Sequence, residues 1–542
     1  IPHIYGKTDA DAVFGLMFAQ CEDDFARVEM NYIEKLGRMS EVKGEKEQAY
    51  DLYIKLIIDA NEAKEEYKTS PLWLKKLLNA YADGINYFLK KHPEIKPRLI
   101  THFEPWFPLL WTDGSIGAIS TGDITANETA LFYGLPRPLT QVKYQNPDEK
   151  LTGSNGFAVG PSLSSTGNSL LYINPHVTFY FRPEVHVNSE EGLSVYGAVT
   201  WGQFFVYQGF NKFNGWMHTS SQVDVADAYV ETTRNNRGTM EYRLDGKWIP
   251  FKTKWISLGA RRIKTYHNHR GPILAARNGK WISVRSYNRA RKSLIQSWLR
   301  TKSTGFADFK RIMEMRANTS NNTIYADNKG NIAYWHGNFV PRREPTKDWG
   351  SPQDGTTSKN DWKGLHPLEE IVHSYNPATA WIQNCNSTPF TVSGASSPKR
   401  TNYPAYMAPD GENFRDRNAV RLFSQTNKLD LTSLISLGYD RRLMAFEVLI
   451  PSLVQAASQE SDLTEVLKEL KNWDYSASVT SVAQTIAVRW GLKIMPRIPK
   501  AMQFGGETDV VQNMEQYAQS GSKQDMRKAL REVLSDLQRD FG

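Results

Sequence analysis

One stretch narrows the folds open to this chain more than any other: Leu151 to His176, LTGSNGFAVGPSLSSTGNSLLYINPH. A small polar residue, Ser154, is followed by Phe157, Ala158 and Val159. A turn rich in Gly, Ser and Thr covers 160–167, and a second apolar run, Ser169 to Ile173, leads into Asn174-Pro175-His176. The pattern predicts two strands reversing around the turn, a β-hairpin. Reversing strands bring their outer ends together, so Ser154 and His176 are expected side by side. That sets a candidate hydroxyl nucleophile beside an imidazole.

The rest of the chain changes character on either side of this hairpin. Residues 1–100 read as mostly helical. Asp9-Ala-Asp-Ala12 opens a helix in which Val13, Leu16, Met17, Phe25, Val28 and Tyr32 recur near helical spacing. Trp106 to Trp111 is an aromatic cluster that suits either a pocket wall or a loop packed on the core. Residues 135–152 are polar with Pro and Gly, as suits an exposed linker that can be cut. From Ser154 onward short apolar runs and Gly turns predict strands, and Thr323–Trp335 reads as a hairpin turning at Asp327–Gly330. Helices return from Leu429. Strands in the middle and helices at both ends predict an α+β fold with helix-covered sheets.

Composition closes off several function classes. With 542 residues, 40% of them apolar, a large core is within reach. The net charge of +8 is spread through interleaved acids and bases, which reads as solvated helix faces and not as a nucleic-acid footprint. No apolar run is long enough to span a membrane. The two cysteines, Cys21 and Cys385, could pair, but a disulfide framework is excluded.

A serine hydroxyl is a weak nucleophile and needs a base. If the chain is cut before Ser154, that residue's own α-amine becomes free. An α-amine has a pKa of about 7.7–8.0, so near neutral pH it can take the hydroxyl proton directly or through one water. Gly153 fits such a cut, because a residue without Cβ tolerates strained backbone. A lone Gly-Ser-Asn-Gly string would equally suit an ordinary turn. The sequence shows no P-loop, Cys-x-x-Cys, HExxH or Gly-x-Ser-x-Gly motif.

Five segments change that balance. They are IPHIYGKTDADAVFGLMFAQCEDDFARVEMNYIEKLGRMSE at the start, Gly153-Ser154-Asn155 with Asn174-Pro175-His176, Asn214-Gly-Trp-Met-His-Thr-Ser220 with Asp224 and Asp227, Trp381-Ile-Gln-Asn-Cys-Asn-Ser-Thr-Pro389, and Phe414-Arg-Asp-Arg-Asn-Ala-Val-Arg421. In this order they resemble the penicillin acylase family of N-terminal nucleophile hydrolases. The Asn-Pro-His end is most similar to the acyl-homoserine-lactone and cephalosporin acylase branch. The first segment departs from the family at Cys21-Glu22-Asp23.

The resemblance implies a four-layer αββα sandwich with additional helical regions. It implies a smaller helical chain, residues 1–150 with the linker, and a larger chain, 154–542, that carries the nucleophile. Catalytic chains of the family run well past the position of Gly542, so more chain is expected there. Ser154 would attack, and His176 would orient the freed amine. The Ser220 N–H and the Asn386 amide would hold the oxyanion. Arg415, or next Arg417, would steady Asn386 or a polar substrate group. Asp224 and Asp227 match positions that bind calcium in some members, with Glu128 a weak further ligand; no cofactor is required. Val177, Phe179 and Phe181, with Phe204 and Phe205, would line an acyl pocket.

The implied activity is hydrolysis of N-acyl amides, such as acyl-homoserine lactones or β-lactam side chains, by a processed heterodimer in the periplasm or outside the cell. Two other readings stay open: a catalytically inert or uncut secreted binding protein of the same fold, and a conventional serine hydrolase that uses another serine.

Overall fold

The computed structural model describes residues 1–110, 122–135, 153–177, 180–287, 290–317, 321–498 and 509–541. Four strands place the site. β1 is His3–Gly6, β2 is Gly153–Val159, β3 is Leu170–His176 and β4 is Glu184–Ser189. β2 and β3 form the expected hairpin, with Gly153 opposite His176 and Ser154 opposite Pro175. β3 runs three residues further than the apolar pattern suggests, through Asn174-Pro175-His176. Pro175 is tolerated because β3 is an edge strand of a three-stranded sheet. β2 is the middle strand, paired on its other side with Trp381–Asn384.

A larger sheet of eight strands faces it. Its order is β1, β4, β5 (Ser194–Val199), β6 (Val206–Asn211), β7 (Asn214–Ser220), then Asn321–Asp327, Ile332–His336 and His373–Tyr375. The predicted 323–335 hairpin supplies two of these strands, and its turn closes with Gly330 N–H donating to the Asp327 carbonyl at 3.1 Å.

Alternation along the strands builds the layers. Ala158, Met217, Ile324, Ile332 and Ile382 meet between the two sheets. The sheets approach so closely at Gly156 that any side chain there would strike Met217 and Ile324. Trp216, Tyr325 and Trp335 point the other way, into a core shared with the helices Asp9–Lys35, Leu72–Lys91 and Arg291–Thr301. Phe157, Val159 and Trp381 point outward from the small sheet against Ala419, Phe423 and Leu434 of two later helices. The result is helix, sheet, sheet, helix, the expected four layers. Each fully buried aromatic or aliphatic side chain contributes about 1.5–3 kcal/mol, so the site rests on a rigid support.

Two units flank the sandwich. One is a four-stranded sheet that includes β8 (Ala226–Glu231). The other is a helical cluster with its own core around Leu453, Leu470, Trp490 and Leu530. Cys21 and Cys385 are both buried and unpaired. Among the described residues no helix is long and apolar enough to cross a membrane.

Candidate active site

The site sits where β2 begins. Ser154 is 7% exposed. Its N–H donates to Asn386 Oδ1 at 2.6 Å, and its Oγ donates to the Gly153 carbonyl oxygen at 2.6 Å. The nucleophile candidate is thus in contact with the amide that precedes it and with the asparagine expected to stabilise an oxyanion.

Asn386 owes its position to local chain chemistry. It has φ +59°, a left-handed conformation that asparagine tolerates better than most residues. Its N–H donates to Asn384 Oδ1 at 3.0 Å, a short-range Asx bond. Its side-chain Nδ2 donates to the Ser220 carbonyl at 3.0 Å. Ser220 is the one exposed residue of β7, at the point where that strand leaves the sheet. Ser220 and Asn386, 166 residues apart, therefore meet directly.

Arg415 completes the cluster. Asn413 caps the helix Phe414–Gln425, its Oδ1 accepting from the N–H groups of Arg415 and Asp416. The same side chain donates to the Cys385 and Asn386 carbonyls at 3.0 and 3.1 Å. One asparagine thereby fixes both the Asn386 loop and the helix start, and Arg415 reaches across. Its Nη1 donates to the Ser154 carbonyl at 3.1 Å and to Asn155 Oδ1 at 2.7 Å; its Nη2 donates to Asn386 Oδ1 at 3.1 Å. Arg417 points elsewhere, to Glu412 and Glu515.

His176 Nε2 bonds Asn174 Oδ1 at 2.9 Å. Burial, and then the neighbouring Arg415 charge, push its pKa below the ordinary imidazole value. The ring is therefore neutral near pH 7, and a neutral ring that donates from Nε2 leaves a lone pair on Nδ1. A Cβ built on Gly153 would lie 3.1 Å from Asn386 Oδ1, 3.2 Å from Arg415 Nη2 and 3.5 Å from His176 Nδ1. Close approach by three polar groups is a reason for glycine at this position.

Comparison with known proteins fits this geometry. A family model described as penicillin amidase matches residues 1–542. The chain belongs to the penicillin amidase family. With the family comes the reaction class, amide hydrolysis by an acylase. The chain is 21% identical to the acyl-homoserine lactone acylase PvdQ of Pseudomonas syringae pv. tomato, over 92% of this chain and 75% of that protein. It is 23% identical to the acyl-homoserine lactone acylase QuiP of Pseudomonas fluorescens, over 90% of this chain and 65% of that one. A solved structure, thermostable penicillin G acylase from Alcaligenes faecalis, matches with a TM-score of 0.56 over 72% of this chain and 79% of that chain, at 18% identity. That likeness speaks for the fold.

Other expected residues fall differently within this penicillin amidase fold. Asp224 and Asp227 do come together, but around a guanidinium. Arg343 Nε lies 2.8 Å from Asp227 Oδ2, and its Nη2 lies 3.2 Å from Asp224 Oδ2. Trp362 Nε1 also donates to Asp227 Oδ2. The Arg343 side chain is fully buried, with Trp349, Trp362 and Tyr406 rings about it. A calcium site needs six to eight oxygens. Among the described residues no group of three or more His, Cys, Asp or Glu could hold a metal ion. An arginine already seated between the two carboxylates does not fit the expected calcium. Glu128 is no ligand either: it closes the capping box on Thr125 and pairs with Arg277 at 2.8 Å.

The expected acyl pocket changes too. Phe204 and Phe205 are each 1% exposed and belong to the main core, so they do not line a pocket. Phe107, Leu109 and Leu110 of the 106–111 cluster are buried in the same core. Val177 follows His176 and is half-buried; Phe181 is half-buried beneath the Arg182 guanidinium. Phe179 lies outside the described residues, as do Trp111 and most of the 135–152 linker. Asn155 was not foreseen from sequence as an Arg415 partner, although its place beside Ser154 was a signal.

Proposed function

We propose that this chain is a self-processing acylase that hydrolyses N-acyl amides through a serine acyl-enzyme. The observation that carries the reading is the meeting at one point of Ser154 N, Ser154 Oγ and the Asn386 amide. In the intact chain Ser154 Oγ attacks the carbonyl carbon of Gly153, the acyl group moves from nitrogen to oxygen, and water releases the ester. The freed α-amine stays beside Asn386 Oδ1 and takes the Oγ proton as substrate is attacked. The Ser220 N–H and Asn386 Nδ2 receive the oxyanion, Nδ2 exchanging its bond to the Ser220 carbonyl for one to the substrate. The protonated amine then gives its proton to the leaving nitrogen, and water resolves the ester. No cofactor enters these steps. The relatives named acyl-homoserine lactone acylase favour N-acyl-homoserine lactones as substrates, with β-lactam side chains next. The reading includes a processed heterodimer in the periplasm or outside the cell.

A denaturing gel tests the first half. Fragments of about 17 and about 44 kDa are expected at roughly 0.11 kDa per residue, the larger beginning Ser-Asn-Gly-Phe. A panel of N-acyl amides of increasing acyl length tests the second. One uncut band in material that hydrolyses amides would remove the proposed base. Cut material without hydrolysis would favour the inert-fold reading.

Gly153→Val gives a sharper check. Its Cβ meets Asn386, Arg415 and His176 at 3.1–3.5 Å, so the cluster must shift. Misplacement on an ångström scale can cost about 10²-fold in rate. The cut is expected to slow by roughly tenfold or more, read as persistence of the full-length band over time. Cutting at the wild-type rate would show that close approach at Gly153 is irrelevant.

A further inference from the structure

We propose that Asp410, His336, Tyr334, Asn322 and Asn384 form a buried ring of polar contacts, closed through the backbone, that positions the two oxyanion arms, Ser220 and Asn386; this rests on the acylase reading above. Every member is buried: Asn322, Tyr334, His336 and Asn384 are 0% exposed and Asp410 is 3% exposed. None of the five touches the reacting atoms, so they are positioning residues.

Donor and acceptor roles follow link by link. Asn384 is oriented by backbone groups whose roles are not in question. Its Oδ1 accepts from Asn386 N–H at 3.0 Å, and its Nδ2 donates to the Ser387 carbonyl at 3.0 Å. The same Oδ1 accepts from Thr219 Oγ1 at 2.5 Å. The Asn322 atom lying 3.2 Å from Asn384 Oδ1 and 3.5 Å from the Ser220 carbonyl must therefore be the nitrogen. That leaves Asn322 Oδ1 to accept from the Tyr334 hydroxyl at 2.8 Å. The tyrosine has only one proton to give, so its oxygen accepts at 3.1 Å from His336 Nδ1–H. His336 Nε2 lies 3.1 Å from Asp410 Oδ2, a buried contact without hydrogen-bond geometry. Asp410 Oδ1 accepts from Gln222 N–H at 2.8 Å, two residues beyond Ser220. The bond from Asn386 Nδ2 to the Ser220 carbonyl closes the ring.

The ring ties the segment after β7 and the Asn386 loop to the same buried strands, Asn321–Asp327 and Ile332–His336. Because the run from His336 through Tyr334 and Asn322 to Asn384 is ordered donor to acceptor, deleting one donor disturbs the members beside it. The arms would be loosened, not removed. The effect should thus be smaller than the roughly 10²–10³-fold loss from deleting an oxyanion donor outright.

The test compares full-length variants by kcat and KM on one chromogenic N-acyl amide. Tyr334→Phe removes a single hydroxyl and is expected to lower kcat about tenfold with KM within about twofold. Tyr325→Phe is the structural control. It lies in the same sheet and loses a buried hydroxyl that donates to Asp327 Oδ2 at 3.1 Å, outside the ring. It should lower the melting temperature and leave kcat unchanged.

Asp410→Ala should resemble Tyr334→Phe. Asp410→Asn should recover most of the loss, because its Oδ1 still accepts from Gln222 and its amide fills the same space against His336 Nε2. If Tyr334→Phe does not fold, the Asp410 pair carries the test. The ring is overturned if Tyr334→Phe and Asp410→Ala keep wild-type kcat. It is also overturned if kcat falls equally in Tyr325→Phe, or if Asp410→Asn fails as badly as Asp410→Ala. Wild type and Ser154→Ala run alongside: hydrolysis that survives in Ser154→Ala rejects the acylase reading, separately from the ring.

Discussion

Ser154→Ala is expected to accumulate as one full-length chain with no measurable amide hydrolysis. The reason is that the proposed mechanism gives one atom two successive tasks. Ser154 Oγ lies 2.6 Å from the Gly153 carbonyl oxygen in the intact chain, and after cutting the same Oγ must attack substrate. Alanine removes both at once. Losing a serine nucleophile costs roughly 10⁴-fold or more even where cutting is not involved, and here the base would never be released either. Mass spectrometry of the purified chain and a hydrolysis assay check the two halves together. A conventional serine hydrolase, with its nucleophile elsewhere, would lose neither. Fragments appearing in Ser154→Ala, or activity surviving in it, would overturn the mechanism.

The second large effect concerns stability. Arg343→Met is expected to destabilise the fold by about 3–5 kcal/mol at neutral pH. The arginine lies between Asp224 and Asp227. Removing it leaves two carboxylates close together in a buried site with no opposite charge. Their repulsion and desolvation are relieved only by protonation. The variant's carboxyls would titrate higher in the folded than in the unfolded chain, so the folded state binds protons first. The deficit is therefore full above the folded values and shrinks as the pH falls toward about 4, the unfolded carboxyl range. Urea unfolding at pH 7.5 and pH 5 measures both numbers. Chelator should leave wild-type unfolding unchanged. A chelator-sensitive wild type would mean that a cation shares the site with Arg343, and an unaffected Arg343→Met would mean that the pair contributes nothing.

The same residues show how far sequence reasoning reaches. The Leu151–His176 hairpin was legible because alternation and turn chemistry act over a few residues. The register followed, and it sets Gly153 opposite His176. The Asn384-Cys385-Asn386 string was legible through its family resemblance, and the Asx bond and left-handed asparagine that shape it came only with the structure. Arg343 was not legible. It meets Asp227 across 116 residues, and nothing in its own neighbourhood marks it as the cation of that site. Two aspartates three apart look the same to a reader of sequence whether calcium or a guanidinium lies between them. Tyr334 was read only as one residue of an alternating hairpin, and His336 was not singled out. A buried polar chain has no sequence signature, because its logic depends on which strands lie side by side. At Gly153 the sequence offered only a backbone reason for glycine; the crowding by side chains from distant segments is visible only in three dimensions.

The edge strand β1 carries a consequence of its own. His3–Gly6 lies parallel to β4 in the large sheet, so residues before the proposed cut complete a sheet made otherwise by residues after it. The helices Asp9–Lys35 and Leu72–Lys91 close the core of that same sheet. A chain severed at Gly153 would keep its shape while folded, held by the strand and helices it already shares. Once melted, it would have to find its missing piece by diffusion. Recovery would then depend on concentration, whereas the uncut precursor would refold as a single molecule. If the chain cuts as proposed, the order of events would be one-way: it would have to fold before cutting, because severed halves would retain the fold but no longer carry the means to regain it alone.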